Sequence, residues 1–415
     1  MKNLKRILFF VVFFCLSLTS LSWAEFKITH GVSIREEYND NIFLTPRDEE
    51  DDFITNVHPS ITLSYNANLL TLSLDYSLDF RFYADHSNLN ETSLINTQRA
   101  KLETTISPYK DAFFIRVFDE YRRVPIDIRR QVALDNLFVN LTDSNIFLVN
   151  PYLEYPLSAT LKTKIGYSYS NYWYDSDEGI ASETHSGTVS IIKEISSRIN
   201  SSLSYTYLMN RLKKTIENIQ DYDRQDISFN MNIQALERLT LNGGIGHIWF
   251  DHEKLADTDS TIWNIQAQYS LTDFISLGAG YSESFMDSVN IGTYKTKTAT
   301  ASISRQGNIP ITLSGFKTIN TYLSEDREDR LIGVTLNSSL PVTPKITIRW
   351  VGTYTDYEFL PEGEKVKRLG IGLSSDYALR ITTITLGYTY NWNNSTIDAH
   401  DYKNNIIWAQ ARFTI

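Results

Sequence analysis

Between residues 69 and 83 the chain alternates without a break: Leu70, Leu72, Leu74, Tyr76, Leu78, Phe80 and Phe82 stand against Thr71, Ser73, Asp75, Ser77, Asp79 and Arg81. A period of two puts all apolar side chains on one face of a strand and all polar ones on the other. The run exceeds the roughly 5 or 6 residues of an ordinary strand and suits the roughly 9 to 11 that a tilted strand needs to cross a bilayer. The pattern returns in 159–174 (Leu161, Thr163, Ile165, Tyr167, Tyr169, Trp173), 198–210 (Ile199, Leu203, Tyr205, Tyr207, Met209), 227–234 (Ile227, Phe229, Met231, Ile233) and 384–392 (Ile384, Leu386, Tyr388, Tyr390, Trp392). No stretch of the mature chain reads as a long helix.

Between these runs, short connections alternate with longer polar ones. The short ones are 66–68, 107–111, 194–197, 236–238, 271–273, 305–308, 340–344 and 377–380; the longer ones are 39–52, 84–92, 122–144, 175–183, 211–222, 251–260, 287–294, 323–329, 358–365 and 393–403. Short periplasmic turns and long outer loops are the rhythm of an up-and-down outer-membrane barrel with both termini inside. The pattern predicts an all-β, transmembrane antiparallel β-barrel of about 18 to 20 strands, its first strand, 26–38, closing on the last, 407–415, so that no edge is left open. Tyr83, Trp173, Tyr174, Trp249, Tyr281, Trp392 and Trp408 gather at strand ends, where amphipathic rings prefer the headgroup level. The competing architecture, a secreted solenoid or sandwich, accounts less well for strand length and alternation.

Composition changes the picture in two places. Lys2, Lys5 and Arg6 precede an apolar run from Ile7 to Leu21, and Ser22-Trp23-Ala24 forms a small-x-small site, so residues 1–24 are expected to be a signal peptide and 25–415 the barrel, exported through the periplasm of a Gram-negative cell. The sole cysteine, Cys15, leaves with the leader, which removes disulfide, thiolate-metal and cysteine-nucleophile chemistry from the mature chain. The whole chain's 39 basic residues, less the three of the leader, leave 36 against 49 acidic, a net charge of −13 that argues against nucleic acid as a partner. Mean hydropathy is slightly negative despite many aromatics. A barrel with lipid outside and water inside reconciles the two.

Candidate chemistry is sparse. Seven histidines show no zinc spacing; His247 and His252 beside Asp251 and Glu253 read as ordinary solvated surface more readily than as a metal site, and no metal or cofactor is expected. No G-x-S-x-G elbow occurs, the many serines fall on water-facing positions, and no catalytic residue or enzymatic activity is assigned. The acidic runs Asp48–Asp52, Asp175–Glu178 and Glu325–Asp329 could meet divalent cations bridging lipopolysaccharide, although a solvated loop explains them better. Asp75, Asp79, Arg81, Arg116, Glu120, Lys162, Lys164 and Arg349 fall on the polar face and are the expected lumen lining. The exceptional loop is 122–144, which opens Arg122-Arg123-Val124-Pro125-Ile126-Asp127-Ile128-Arg129-Arg130 and continues with Val132 and Leu134. Its apolar residues need burial, so it is expected to fold against the barrel interior and narrow the pore. Arg122, Arg123, Arg129 and Arg130 would then favour anions, or bind sugar hydroxyls and acidic sugars. The alternative is an outer loop packed on its neighbours.

Glu37-Tyr38-Asn39-Asp40-Asn41-Ile42-Phe43-Leu44, then Asp52–Thr55 and Val57–Leu63, together with Val149-Asn150-Pro151-Tyr152-Leu153 and the arginine-proline stretch, resemble a family of β-barrel porins associated with exopolysaccharide and PEP-CTERM/exosortase loci. The resemblance implies outer-membrane location and barrel architecture, with polysaccharide export as a context. The final segment is similar to the C-terminal assembly signal read by the barrel-assembly machinery, with Ile415 where Phe or Trp is usual. Membrane lipid, lipopolysaccharide, that machinery and polysaccharide are the expected partners. The function expected is a porin-like channel for polar or anionic solutes; the alternative is a plugged barrel that anchors surface components without conducting.

Overall fold

The computed structural model describes residues 25–109, 112–134, 139–214, 219–252 and 257–414. Alternation becomes strand almost everywhere: β1 (Glu25–Asn39), β2 (Asp52–Ala67), β3 (Leu70–Leu78), β4 (Phe80–Tyr83), β5 (Gln98–Tyr109), β6 (Phe113–Pro125) and β7 (Leu141–Ser158) make the first third. Next come β8 (Leu161–Tyr174), β9 (Ser182–Ser196), β10 (Ile199–Leu212), β11 (Tyr222–Leu236), β12 (Leu239–His252), β13 (Thr258–Ser270) and β14 (Ile275–Asp287). The chain then runs through β15 (Thr293–Arg305), β16 (Ile311–Tyr322), β17 (Glu328–Thr343), β18 (Ile346–Leu360), β19 (Glu364–Ala378), β20 (Thr382–Ser395) and β21 (Tyr402–Thr414). β3 and β4 keep one register against β2, Ser60 facing Ser77 and Val57 facing Phe80, so they are two halves of one stave. Twenty staves result.

Each stave pairs antiparallel with its chain neighbours, and β1 pairs with β21 from Gly31 opposite Thr414 to Asn39 opposite Ile406, which closes the sheet into a barrel. At that seam a Cβ on Gly31 would lie 2.7 Å from the Phe413 carbonyl oxygen, so the close strand approach requires glycine there. The predicted closure of the first strand on the last is what the register shows. The leader, residues 1–24, and the terminal Ile415 lie outside the described residues.

Two corrections to the sequence reading concern connections. A turn at 159–160 joins β7 to β8; Ala-Thr carries no Gly, Asn or Pro signal, and a register shift beside Pro156 hides the break in alternation. The loop expected over 122–144 is shorter, because Arg122 and Arg123 extend β6 while 141–144 begin β7, leaving 126–140 as the connection.

The apolar belt faces outward in register across strands. Ile191, Leu203, Phe229, Ile245 and Trp263 stand side by side on β9 to β13, each exposed by 40% or more in the isolated chain. That surface suits lipid, where apolar contact replaces water. Leu203→Arg, in the belt, is predicted to destabilise the barrel by about 2–4 kcal/mol, whereas Ser202→Arg on the opposite face has an effect below about 1 kcal/mol; urea titration of the barrel refolded in liposomes measures the contrast.

Candidate lumen site and its lid

The connection 126–140 begins where Pro125 ends β6. Asn140, in the left-handed region at φ 57°, pins its base: the Ile126 amide donates to the Asn140 carbonyl at 3.0 Å, the Asp127 amide to Asn140 Oδ1 at 3.2 Å, and Asn140 Nδ2 to the Asp127 carbonyl at 2.6 Å. The Arg129 amide donates to Asp127 Oδ1 at 2.9 Å, a local turn typical of Asp. From this base the chain crosses the lumen.

It lands on the far wall. Arg129 Nε donates to Asp329 Oδ1 at 3.0 Å, Nη1 to Glu362 Oε2 at 2.7 Å and Nη2 to the Leu360 carbonyl at 2.8 Å, and its guanidinium lies 5.2 Å from the ring of the fully buried Phe359. Arg130 pairs with Glu178 between β8 and β9. Arg368 of β19 donates to the Ile128 and Arg130 carbonyls, each at 2.9 Å, and the Tyr402 hydroxyl to the Val132 carbonyl at 2.6 Å. Leu134 reaches deepest: its amide donates to Asn391 Oδ1 and its carbonyl accepts from Asn391 Nδ2, both at 2.9 Å, and its side chain stands 3.7 Å from where a Cβ on Gly370 or Gly372 would be. A peptide inside a barrel needs its polar groups matched, and here wall side chains match them.

Neighbouring loops close over the same point. Arg327 donates to both Asp127 oxygens, at 2.9 and 3.2 Å, and to buried Asp329; Asn290 reaches Asp127 at 3.5 Å, and the Ile180 amide donates to the Val289 carbonyl at 2.7 Å. Burial disfavours the Asp127 carboxylate, but the bonds from Arg327 and the Arg129 amide outweigh it and hold the carboxyl below the ordinary Asp value. Burial likewise opposes the Arg327 charge, and Asp127 and Asp329 more than restore it.

The loop lid hangs from an asparagine ladder at the seam. Asn39 Oδ1 accepts from Asn404 Nδ2 at 2.6 Å and from the Asn41 amide at 3.1 Å; Asn404 Oδ1 accepts from Asn391 Nδ2 at 3.2 Å, and Asn391 holds Leu134. Asn39, Asn41, Asn391 and Asn404 are each buried to within 3% exposure. The Tyr-Asn-Asp-Asn motif is therefore structural at this place, with Asp40 taking the Asn405 amide and side chain at 2.6 Å each. Asn391→Ala removes two bonds to Leu134, each worth about 1 kcal/mol, so amide exchange at Leu134 is predicted to quicken by roughly 10- to 100-fold; hydrogen exchange read by mass spectrometry over 126–134 checks it.

The expected lumen residues all stand on the polar face, where each is placed differently. Asp75 accepts from the Thr62 hydroxyl at 2.7 Å, Asp79 meets His58 and, at 3.5 Å, Arg99, and Arg81 meets Glu91 at 3.5 Å. Glu120 pairs with Arg122 at 3.1 Å, Lys164 with Glu154 at 3.5 Å, and Arg349 with Asp376. Arg116 and Lys162 have no ion-pair partner among the described residues. The four arginines proposed for a constriction are not brought together: Arg122 and Arg123 are on β6, Arg123 pairing with Glu91 and Asp143 at 2.8 and 3.2 Å, while Arg129 and Arg130 face opposite sides of the mouth. Pairing leaves none of them as a free anion ligand. Sequence reasoning missed their partners; Asp329 lay within an acidic loop read as solvated, and only the fold brings it, at 0% exposure, to Arg129.

Other candidates dissolve similarly. His247 and His252 project to opposite faces of β12, His247 lying 3.2 Å from Asp259, and Glu253 is outside the described residues. No group of three metal-ligating side chains occurs among the described residues. Asp52 and Glu50 tie the loop at 84–86, Asp52 accepting the Ala84, Asp85 and His86 amides and both acids meeting the His86 ring.

No family model matches the sequence, and no curated protein does. Solved structures do. The FrpB iron transporter of Neisseria meningitidis in its apoprotein form superposes with a TM-score of 0.51 at 8% identity, over 96% of this chain and 82% of that one. A mutant ferric enterobactin receptor, PfeA, of Pseudomonas aeruginosa gives 0.51 at 6% identity, over 94% and 80%. The chain is an outer-membrane β-barrel. At such identities the likeness is one of fold.

Proposed function

We propose that the protein is a gated channel for small polar solutes, closed at its outer mouth by the lid 126–134 and opened when that lid releases. The observation that carries the reading is the Arg129 anchorage, because it ties a segment from β6 to the opposite wall of a barrel whose inner face is polar. Twenty staves leave a lumen wide enough for water-borne solutes unless something fills it, and the lid does so on one side. That one structurally similar barrel is an iron transporter and another a ferric enterobactin receptor accords with this reading without identifying the solute. Polysaccharide export rests on the family resemblance alone.

The expected consequence of neutralising arginines changes accordingly. Because Arg129 and Arg130 hold the lid, Arg129→Gln is predicted to raise open probability about tenfold, the effect of a shift of ~1.4 kcal/mol, with ion preference nearly unchanged. Planar-bilayer conductance with a salt gradient reads both quantities. A folded, inserted barrel that stays silent in wild type and variant would favour the anchoring alternative.

Acid should open the wild type. A carboxyl whose folded value is depressed contributes stability that is complete above its unfolded value and is lost as pH falls through the folded one. Asp127 and Glu362 are both depressed, Glu362 by its own backbone amide and by Arg129. Conductance is therefore predicted to rise as pH drops below the ordinary carboxylate range, and Asp127→Asn to conduct already at neutral pH.

A further inference from the structure

The outward face is apolar along its belt and turns basic toward the outer mouth on β15 to β19. Ile303, Leu313, Val334 and Ile371 are outward and exposed by 40% or more. Counting in twos from each of them toward the outer end of its strand brings Lys297, Lys317, Arg330, and Lys367 with Lys365 onto the same face. Register sets these cations in two rows. Lys297 stands opposite Ile319, Ile319 opposite Arg330, Arg330 opposite Glu358 and Glu358 opposite Lys365; one step lower, Lys317 stands opposite Ile332, Ile332 opposite Asp356 and Asp356 opposite Lys367. One step lower again, Tyr354 and Trp392 flank Leu369, aromatic rings of the kind that mark the headgroup level.

Two of the five cations are matched. Arg330 lies 2.6 Å from Glu328 and 3.2 Å from Glu358, and Lys365 lies 3.7 Å from Glu358. Lys297, Lys317 and Lys367 are exposed and have no carboxylate within ion-pair distance among the described residues. Glu283 stands opposite Lys297 but pairs with Lys295 at 2.7 Å, Asp356 stands opposite Lys367 beyond that distance, and Lys317 has Ala299 and Ile332 for neighbours. On β11 to β13 the outward series is acidic near the same mouth, Asp223 facing Asp251 and Asp259 facing Trp249. The unpaired lysines are thus local to one side of a chain whose acids outnumber its bases. A lysine against hydrocarbon is costly, and the cost fades at the interface, where an anion can remove it.

We propose that Lys297, Lys317 and Lys367 form a docking face for the phosphorylated headgroup of lipopolysaccharide in the outer leaflet. The lysines meet its phosphates, and Ile332 and the belt below meet its acyl chains. Spacing selects this lipid over a glycerophospholipid. Lys297 and Lys317 lie on adjacent strands, whereas Lys367 is three strands beyond Lys317, about 14 Å away at the ordinary strand spacing. A disaccharide with a phosphate at each end reaches both positions, and a single phosphate reaches one. The face lies on the lipid side of the wall and is independent of whether the lumen conducts.

Native mass spectrometry tests it, with the refolded barrel stripped of divalent cations by EDTA and titrated with synthetic bis-phosphorylated lipid A, its dephosphorylated form and phosphatidylglycerol. Bis-phosphorylated lipid A is expected to bind at least about tenfold more tightly than either of the others, as charge-assisted contacts to phosphate require. The triple variant Lys297→Gln, Lys317→Gln, Lys367→Gln should lose that preference, and Lys297→Arg, Lys317→Arg, Lys367→Arg should keep it. Asp251→Asn with Asp259→Asn, on the acidic side, should leave it unchanged. Heat-modifiable migration on gels verifies that each variant has folded. Equal affinity for the dephosphorylated form or for phosphatidylglycerol, or a preference that survives the triple Lys→Gln change, would overturn the site. So would a preference seen only when divalent cations are restored, which would assign the lipid to the acidic residues instead.

Discussion

The pairing of β1 with β21 is the contact on which the rest of this structure depends. It removes the sheet's free edges, without which no lipid-embedded sheet satisfies its backbone. It also brings Asn39 and Asn41 from one end of the chain against Asn404 from the other, and the amides continue to Asn391 and from there to the backbone of Leu134. Closing the barrel and holding the lid are thus one connected network. A buried amide that has lost its partner is costly, so such a ladder is more informative about where the lid must sit than about how stable the barrel is.

The lid's ion pairs follow the same logic. Asp329 is wholly buried and serves both Arg129 and Arg327, while Asp127 serves Arg327 and the turn of its own loop. Buried pairs of this kind contribute little net stability against an apolar alternative, yet breaking one strands its partner and is expensive. Such pairs give the segment 126–134 a well-defined position, and the proposed release of the lid would depend on charge.

The sequence made the barrel legible because period-two alternation survives in nearly every stave, from Leu70–Phe82 to Ile384–Trp392, and because loop lengths alternate with it. Where a local signal was weak, legibility failed: the Ala159-Thr160 turn has no turn-forming residue, and Arg122 and Arg123 looked like loop although their neighbours on β7 pair with them. The inward course of the segment after Pro125 was readable from its unmatched apolar residues, Leu134 above all. Its partners were not, since Arg129 meets Asp329 across 200 positions and Leu134 meets Asn391 across 257.

The most direct measurement uses the geometry of Leu134 against Gly370. Their Cβ positions lie 3.7 Å apart, within the span a disulfide requires, and the only cysteine of the chain, Cys15, lies in the expected leader. In the double variant Leu134→Cys, Gly370→Cys, the disulfide is predicted to form without forcing, the oxidised barrel to stay closed in planar bilayers even at acid pH, and reduction to restore acid-induced opening. Failure of the bond to form in the folded barrel, or acid opening that persists once it has formed, would contradict a lid that closes the lumen from within.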